Sequence, residues 1–342
     1  MHVLVVGATG QIGTALLAAL SAPGGLPGGA KVTALVRKHP PVGPQHGRSV
    51  AFHEAPTFTG GAFLRALEGA THVVYGVGLP EQFTYDRSVF ERVNVGVLRT
   101  FLGALAQHVR AGRTTPRLVY VSTYEVFEAR NNVIRESHPL PPPESFASPY
   151  FRAMSRAYAL CLKEAARLGV PLTTIHPAAV YGGRNTGYGV THFLLTLIRR
   201  RYAEVPAIVP TAFPVVHAGS LAQAILRTLD EDGPFLVSDA MTSLGELARV
   251  LRTLAPSYVP PSVPTPAVRP AIRVMEAAFG ALHRAGVVER PPPMSKAQFD
   301  FLTSGAEPKS DRLVATTSWR PMPLRDGLRR FVEDYRAGAF RS

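Results

Sequence analysis

VLVVGATGQIG, running from Val3 to Gly13, decides the fold. Four branched apolar residues read as a strand, Gly7, Gly10 and Gly13 follow at GxxGxxG spacing, and TALLAAL continues as a helix. A strand that turns this tightly into a helix presents the helix's unpaired N–H groups at its end, and glycines let an anion and the sheet approach closely. The stretch therefore predicts a pyrophosphate cradle made of Gly7, Thr9, Gly10, Gln11, Ile12 and Gly13.

Outward from the cradle the pattern repeats. KVTALVR, THVVYGV, RLVYVS and PLTTIHP read as short strands, separated by helical segments such as NVGVLRTFLGALAQHV and RAYALCLKEAARLG. Short apolar runs alternating with amphipathic helices call for parallel strands with crossover helices. The expected class is α/β, a Rossmann-type doubly wound parallel sheet with a smaller C-terminal α/β substrate lobe. Residues 1–176, with a return segment at about 211–238, are expected to form the dinucleotide-binding domain, and 177–210 with 239–342 the lobe.

Connections are marked by Gly and Pro, as in SAPGGLPGG and HPPVGP. VPPSVPTPAVRP reads as an extended Pro-rich connection. It leads into AIRVMEAAFGALHRAG, where Ile272, Met275, Phe279 and Leu282 recur at helical spacing. Packing or an oligomer face is favoured there over contact with a membrane surface.

The second strand ends in Arg37 and Lys38. A carboxylate at that point would accept hydrogen bonds from the ribose hydroxyls of NAD, whereas a guanidinium clamps a 2′-phosphate. NADP(H) is favoured over NAD(H).

Composition narrows the classes. With 342 residues, 46% of them hydrophobic, the chain is long enough for a sizeable core. Its one cysteine, Cys161, forms neither an internal disulfide nor a metal cluster, so no metal site is expected and a reducing cytoplasm suits it. The start lacks the pattern of a signal peptide, and no apolar run approaches the roughly 20 residues that span a bilayer. A cytoplasmic protein with no transmembrane segment is expected. The net charge is +13, but the arginines are scattered, with Arg199 to Arg201 the only tight run. No nucleic-acid partner is expected from this arrangement, which suits phosphorylated ligands better.

The ordered set of motifs resembles the extended short-chain dehydrogenase/reductase superfamily, the group that includes NAD-dependent epimerases/dehydratases, dihydroflavonol reductases and 3β-hydroxysteroid dehydrogenase-like proteins. The likeness runs along nearly the whole chain. It implies that Gly76, Val77 and Gly78 in THVVYGVG pass beside the cofactor and that Asn94 opens the next helix. It also implies that Thr123 in RLVYVSTYEVF, with Ser122 beside it, is the catalytic hydroxyl, and that Tyr150 is the catalytic tyrosine. Pro177, Ala178 and Val180 in IHPAAVYGGRN are implied cofactor neighbours. PVVHAGSLAQAI and TTSWRPMPLRDGLRRFVEDYR are similar to the family's return to the core and its terminal signature. The resemblance also allows a homodimer.

The departures carry as much information. The family pattern Tyr-x-x-x-Lys stands here as Tyr150-Phe-Arg-Ala-Met154, and its usual Arg before Pro is His176. The acidic residue after the third strand is best matched by Glu54. Met154 can neither bind a ribose nor lower the pKa of a phenol, and Arg152 and Arg156 point away from Tyr150 at helical spacing. His176 reads as a structural histidine or a proton relay.

The leading expectation is an NADP(H)-dependent oxidoreductase that reduces a carbonyl of an apolar small molecule, with Thr123 and Tyr150 at a site lacking lysine. FLLTLIRRRYAEVPAIVP motivates the apolar substrate. Isomerase, dehydratase or epimerase chemistry on the same cofactor, and a non-catalytic dinucleotide-binding sensor or scaffold, remain the alternatives.

Overall fold

The structure, a computed structural model, describes residues 1–38, 50–127, 132–183, 188–205 and 207–340. The predicted loop HPPVGP lies outside the described residues. Ten strands matter for the site: β1 (His2–Val6), β2 (Lys31–Val36), β3 (Val50–Glu54), β4 (His72–Tyr75), β5 (Arg117–Val121), β6 (Leu172–Pro177), β7 (Ala179–Tyr181), β8 (Ala212–His217), β9 (Gly233–Val237) and β10 (Ala240–Ser243). Seven of them form the parallel sheet that the sequence predicts, in the order β9-β6-β5-β4-β1-β2-β3. The order reverses between β1 and β4, which opens a crevice at the carboxyl ends of these two strands.

Register sets the geometry of that crevice. Val6 pairs with Leu35 and with Tyr75, Tyr75 with Tyr120, and Val121 with Ile175. Neighbouring strands thus stop at nearly the same height, and whatever follows each of them emerges along one edge.

Both faces of the sheet are covered, which is why its central strands read as unbroken apolar runs. Val3 and Val5 face one core with Leu16 and Leu20 of α1 (Gln11–Ser21), while Leu4 and Val6 face another that holds Phe63, Phe101 and Met154. The second core is closed by the helix Gly60–Ala66, by α2 (Leu98–Arg110) and by α3 (Pro149–Leu168). Edge strand β3 is mostly exposed.

The remaining three strands make a second sheet, β10-β8-β7, with β8–β10 antiparallel and β7–β8 parallel. The return segment expected over about 211–238 spans both sheets. β8 belongs to the smaller one, then α4 (Ala218–Arg227) packs on α1 and β9 completes the edge of the larger.

Two expectations need correction. Phe193, Leu194, Leu195 and Leu197 of the apolar segment fill the lobe's own core, so that segment says nothing about substrate. The Pro-rich stretch is only half extended, because α5 (Thr265–Arg284) already begins inside it. Proline in a helix's first turn removes an N–H that has no partner there anyway. Pro266 sits at that point, while Pro270 lies further in.

Candidate functional site

Backbone alone shapes the cradle. Gly7 sits at φ +91°, and a Cβ there would lie 2.7 Å from the Gly76 carbonyl oxygen. A Cβ on Gly13 would lie 2.3 Å from the Gly7 oxygen and 2.7 Å from the Ala8 carbonyl carbon. Neither position has room for a side chain, so β1, the turn after β4 and the first turn of α1 touch through backbone. Gly10 caps α1 with no side-chain hydrogen bond, which leaves the first-turn N–H groups and the positive end of the helix dipole facing outward. Thr9 and Gly10 are exposed, and Ile12 packs on the core below. This cradle fits a pyrophosphate.

The other cofactor candidates line the same edge. Arg37 and Lys38 are exposed just past β2, and Gly76, Val77 and Gly78 follow β4. Pro177 ends β6, with Ala178 buried and Val180 half-buried beyond it. Glu54 ends β3 beside Val36, in the open.

Two candidates act differently from a direct ligand. The Asn94 amide accepts the Leu79 N–H at 2.6 Å and donates to the Leu79 carbonyl at 3.4 Å, so it pins the turn after β4. It does so from a π-helical turn, Glu91–Val97, a local widening of the helix that recurs at functional sites. Gln11 turns its amide away toward the lobe, donating to the Gly182 carbonyl at 2.7 Å and to Thr191 Oγ1 at 3.0 Å. Cradle and lobe are thereby tied together.

The reacting end is built from side chains. Pro149 starts α3, and Tyr150 in its first turn is buried between Phe90 and Phe151, with ring centroids 5.8 and 5.2 Å away. Met154 lies buried in the same apolar cluster. The nearby arginines are engaged elsewhere. Arg152 donates to the Phe146 carbonyl at 2.9 Å, and Arg156 reaches Glu144 at 3.2 Å and Glu91 at 3.6 Å.

Thr123, just past β5, donates its hydroxyl to Glu125 Oε2 at 3.0 Å. Gln82, from the loop after β4, reaches the other carboxyl oxygen of Glu125 at 3.4 Å. Ser122 Oγ is buried with no partner among the described residues. Sequence reasoning missed Glu125. The one signal available was its position two residues after Thr123 in a strand-end turn, and its other side-chain partner, Gln82, lies 43 residues away.

Burial sets the protonation states. It pushes the Glu125 carboxyl up to about 8, partly offset by the Thr123 hydrogen bond. Tyr150 is raised well above the ordinary phenol range, by burial first and then by Glu125, Tyr188 and Glu81. Both groups hold their protons at neutral pH. His176 is fully buried and pushed down to about 4, so it is neutral. A carbonyl can only accept, so His176 Nδ1 carries the proton it gives to the Thr123 oxygen at 3.1 Å. Nε2 then accepts from Thr174 Oγ1 at 3.0 Å, and Thr174 accepts from Tyr158 at 3.4 Å. With every position satisfied, His176 buttresses the Thr123 backbone, the structural one of its two readings.

Similar proteins share this fold. Among solved structures, gox2253 superposes with a TM-score of 0.75 at 18% identity, covering 99% of each chain. The UDP-glucose 4-epimerase of Thermus thermophilus, solved with NAD, gives 0.71 at 19% identity over 98% of this chain and 99% of that one. RMD from Pseudomonas aeruginosa, solved with NADPH, gives 0.66 at 15% identity over 98% and 99%. No curated protein matches the chain. The family model "NAD dependent epimerase/dehydratase family" matches residues 3–235, more than half of the sequence. The chain belongs to the NAD-dependent epimerase/dehydratase family.

Proposed function

We propose that the protein is an NADPH-dependent reductase acting on the carbonyl of a small, largely apolar molecule, with Tyr150, Thr123 and Glu125 handling the proton. The observation that carries this reading is Glu125, whose carboxyl is raised to about 8 and bonded to Thr123 at 3.0 Å, a protonated acid poised near neutral pH at the crevice. Carbonyl reduction needs a proton donor, whereas alcohol oxidation needs a base, and at neutral pH Glu125 is a donor.

A bound nicotinamide dinucleotide supplies the hydride. The chain's own residues do the rest. Tyr150 Oη gives its proton to the developing alkoxide. With substrate bound, protonated Glu125 donates to Thr123 Oγ1, reversing their hydrogen bond, and Thr123 turns its own O–H to the substrate carbonyl. Glu125 thereby takes over the proton supply that lysine gives elsewhere in the superfamily. Backbone N–H groups of the cradle hold the pyrophosphate, and Arg37 with Lys38 favours a 2′-phosphate. Phe151, half-buried beside Tyr150, supports an apolar substrate, whereas Phe90 and Met154 belong to the core.

The measurement is NADPH oxidation over a panel of aldehydes and ketones, with Tyr150→Phe beside the wild type. Turnover of the variant should fall about 10²- to 10⁴-fold with cofactor affinity kept. Undiminished turnover would remove Tyr150 from the chemistry.

A second reading rests on Glu125 alone. Once ionised, a carboxyl with so high a pKa is a competent base for proton abstraction next to a carbonyl, as isomerisation, epimerisation or dehydration requires. That chemistry forms product without net consumption of NADPH, so the same assay separates the two.

A further inference from the structure

The arm formed by α5 (Thr265–Arg284) and α6 (Lys296–Leu302) meets the crevice at its inner side, where His283 stacks on Tyr85 at 3.7 Å and Phe301 packs near Tyr124 at 6.2 Å, and its outer side carries features of its own. α5 buries a single residue, Ile272, which packs with Val209 and Phe299. Met275 and Met294 pack against this small cluster. Residues at helical positions away from Ile272, among them Val274, Ala278 and Ala281, are all exposed. Seven large apolar side chains are exposed among the described residues, and three of them, Val274 at 70%, Leu282 at 41% and Val287 at 67%, fall within 14 residues. An apolar surface concentrated in this way calls for a covering partner.

Charge selects the partner. α5 carries Arg269, Arg273 and Arg284 against one carboxylate, Glu276, and that group already accepts the Lys296 N–H at 2.6 Å. A two-fold contact with a second copy would bring these arginines against one another with no free acid on the helix to answer them. An anionic surface meets them favourably. Between the two arm helices lies a cleft of about 90 Å³ walled by Arg269, Arg273 and Lys296, with Ile272 and Phe299 beneath. Arg269 is held over the Phe299 ring at 5.7 Å, and the cleft's carboxylate, Asp300, is paired with Lys296. A basic cleft of this size suits one phosphate group, and Arg273 on its wall is the chain neighbour of exposed Val274.

We propose that the arm docks the protein on an anionic lipid surface, with the outer face of α5 against the acyl boundary and Arg269 and Arg273 on a lipid phosphate. No helix of the described residues is long and apolar enough to cross a membrane, so the attachment is peripheral.

The test is co-sedimentation of the full chain with phosphatidylcholine vesicles, with and without phosphatidylglycerol, at low and high salt. Binding should require phosphatidylglycerol and weaken with salt. Arg269→Glu with Arg273→Glu should weaken it by at least about fivefold for each charge lost, and Val274→Asp by about tenfold. Both variants should keep the wild-type melting temperature. Three results overturn the proposal: no binding to phosphatidylglycerol vesicles, binding unaffected by Val274→Asp, which would reduce it to general attraction by the +13 chain, or a dimer in sedimentation velocity that Val274→Asp dissolves without any vesicle binding.

Discussion

The cradle and the end that carries Thr123, Glu125 and Tyr150 sit on one edge of one sheet, yet they are made of different material. At the cradle the contacts are backbone against backbone, with Gly7 against Gly76 and Gly13 against Gly7, and the geometry follows from where a side chain is missing. At the other end the contacts join side chains from distant segments: Thr123, Glu125, Gln82 and Tyr150. A backbone site tolerates almost no substitution. A side-chain site can lose a member such as lysine and recruit another, and the role proposed for Glu125 beside Met154 is an instance of that.

The comparison breaks first at Gly13. Gly13→Ala places a methyl 2.3 Å from the Gly7 oxygen, overpacking that costs about 1–3 kcal/mol and should weaken dinucleotide binding by about tenfold to a hundredfold, read by calorimetry. A variant that binds as well as wild type would mean the cradle is not the phosphate site.

Glu125→Gln sharpens the other half. Wild-type reduction should decline as pH rises through about 8, because Glu125 loses its proton there, and the variant should lack that limb and turn over about tenfold more slowly at neutral pH. The stability sign runs the same way. The folded pKa lies above the ordinary 4.5, so the folded state holds a proton that the unfolded state has released between 4.5 and about 8. Wild-type stability falls across that window. A pH series of melting temperatures should therefore show Glu125→Gln gaining on wild type from acid to alkaline, and parallel curves would contradict the burial of that carboxyl.

What the sequence made legible divides along the same line. Strand and helix alternation and the glycine spacing are local, periodic signals, and they place β1, α1 and the carboxyl-end crevice. Tyr150 and its lost lysine are legible because the partner would be four residues away on one helix. Long-range engagement was out of reach. Nothing near Gln11 announces that its amide will reach Gly182, and nothing near Glu125 announces Gln82. Apolar runs mislead in the same way. Phe193 to Leu197 reads equally as a substrate wall or as core, and only the lobe's packing shows it to be core, whereas Leu282, in phase with buried Ile272 by spacing, ends on the open edge of α5.

The central claim is that the backbone cradle still binds a nicotinamide dinucleotide, with Arg37 choosing its phosphate. Titration calorimetry with NADPH and NADH, on the wild type and on Arg37→Ala, tests it most directly. NADPH should bind more tightly than NADH, and the variant should lose about fivefold toward NADPH alone, the worth of one exposed charge contact. If neither nucleotide binds the wild type, the cradle is a relic, and a dinucleotide-dependent reductase is the wrong account of this protein.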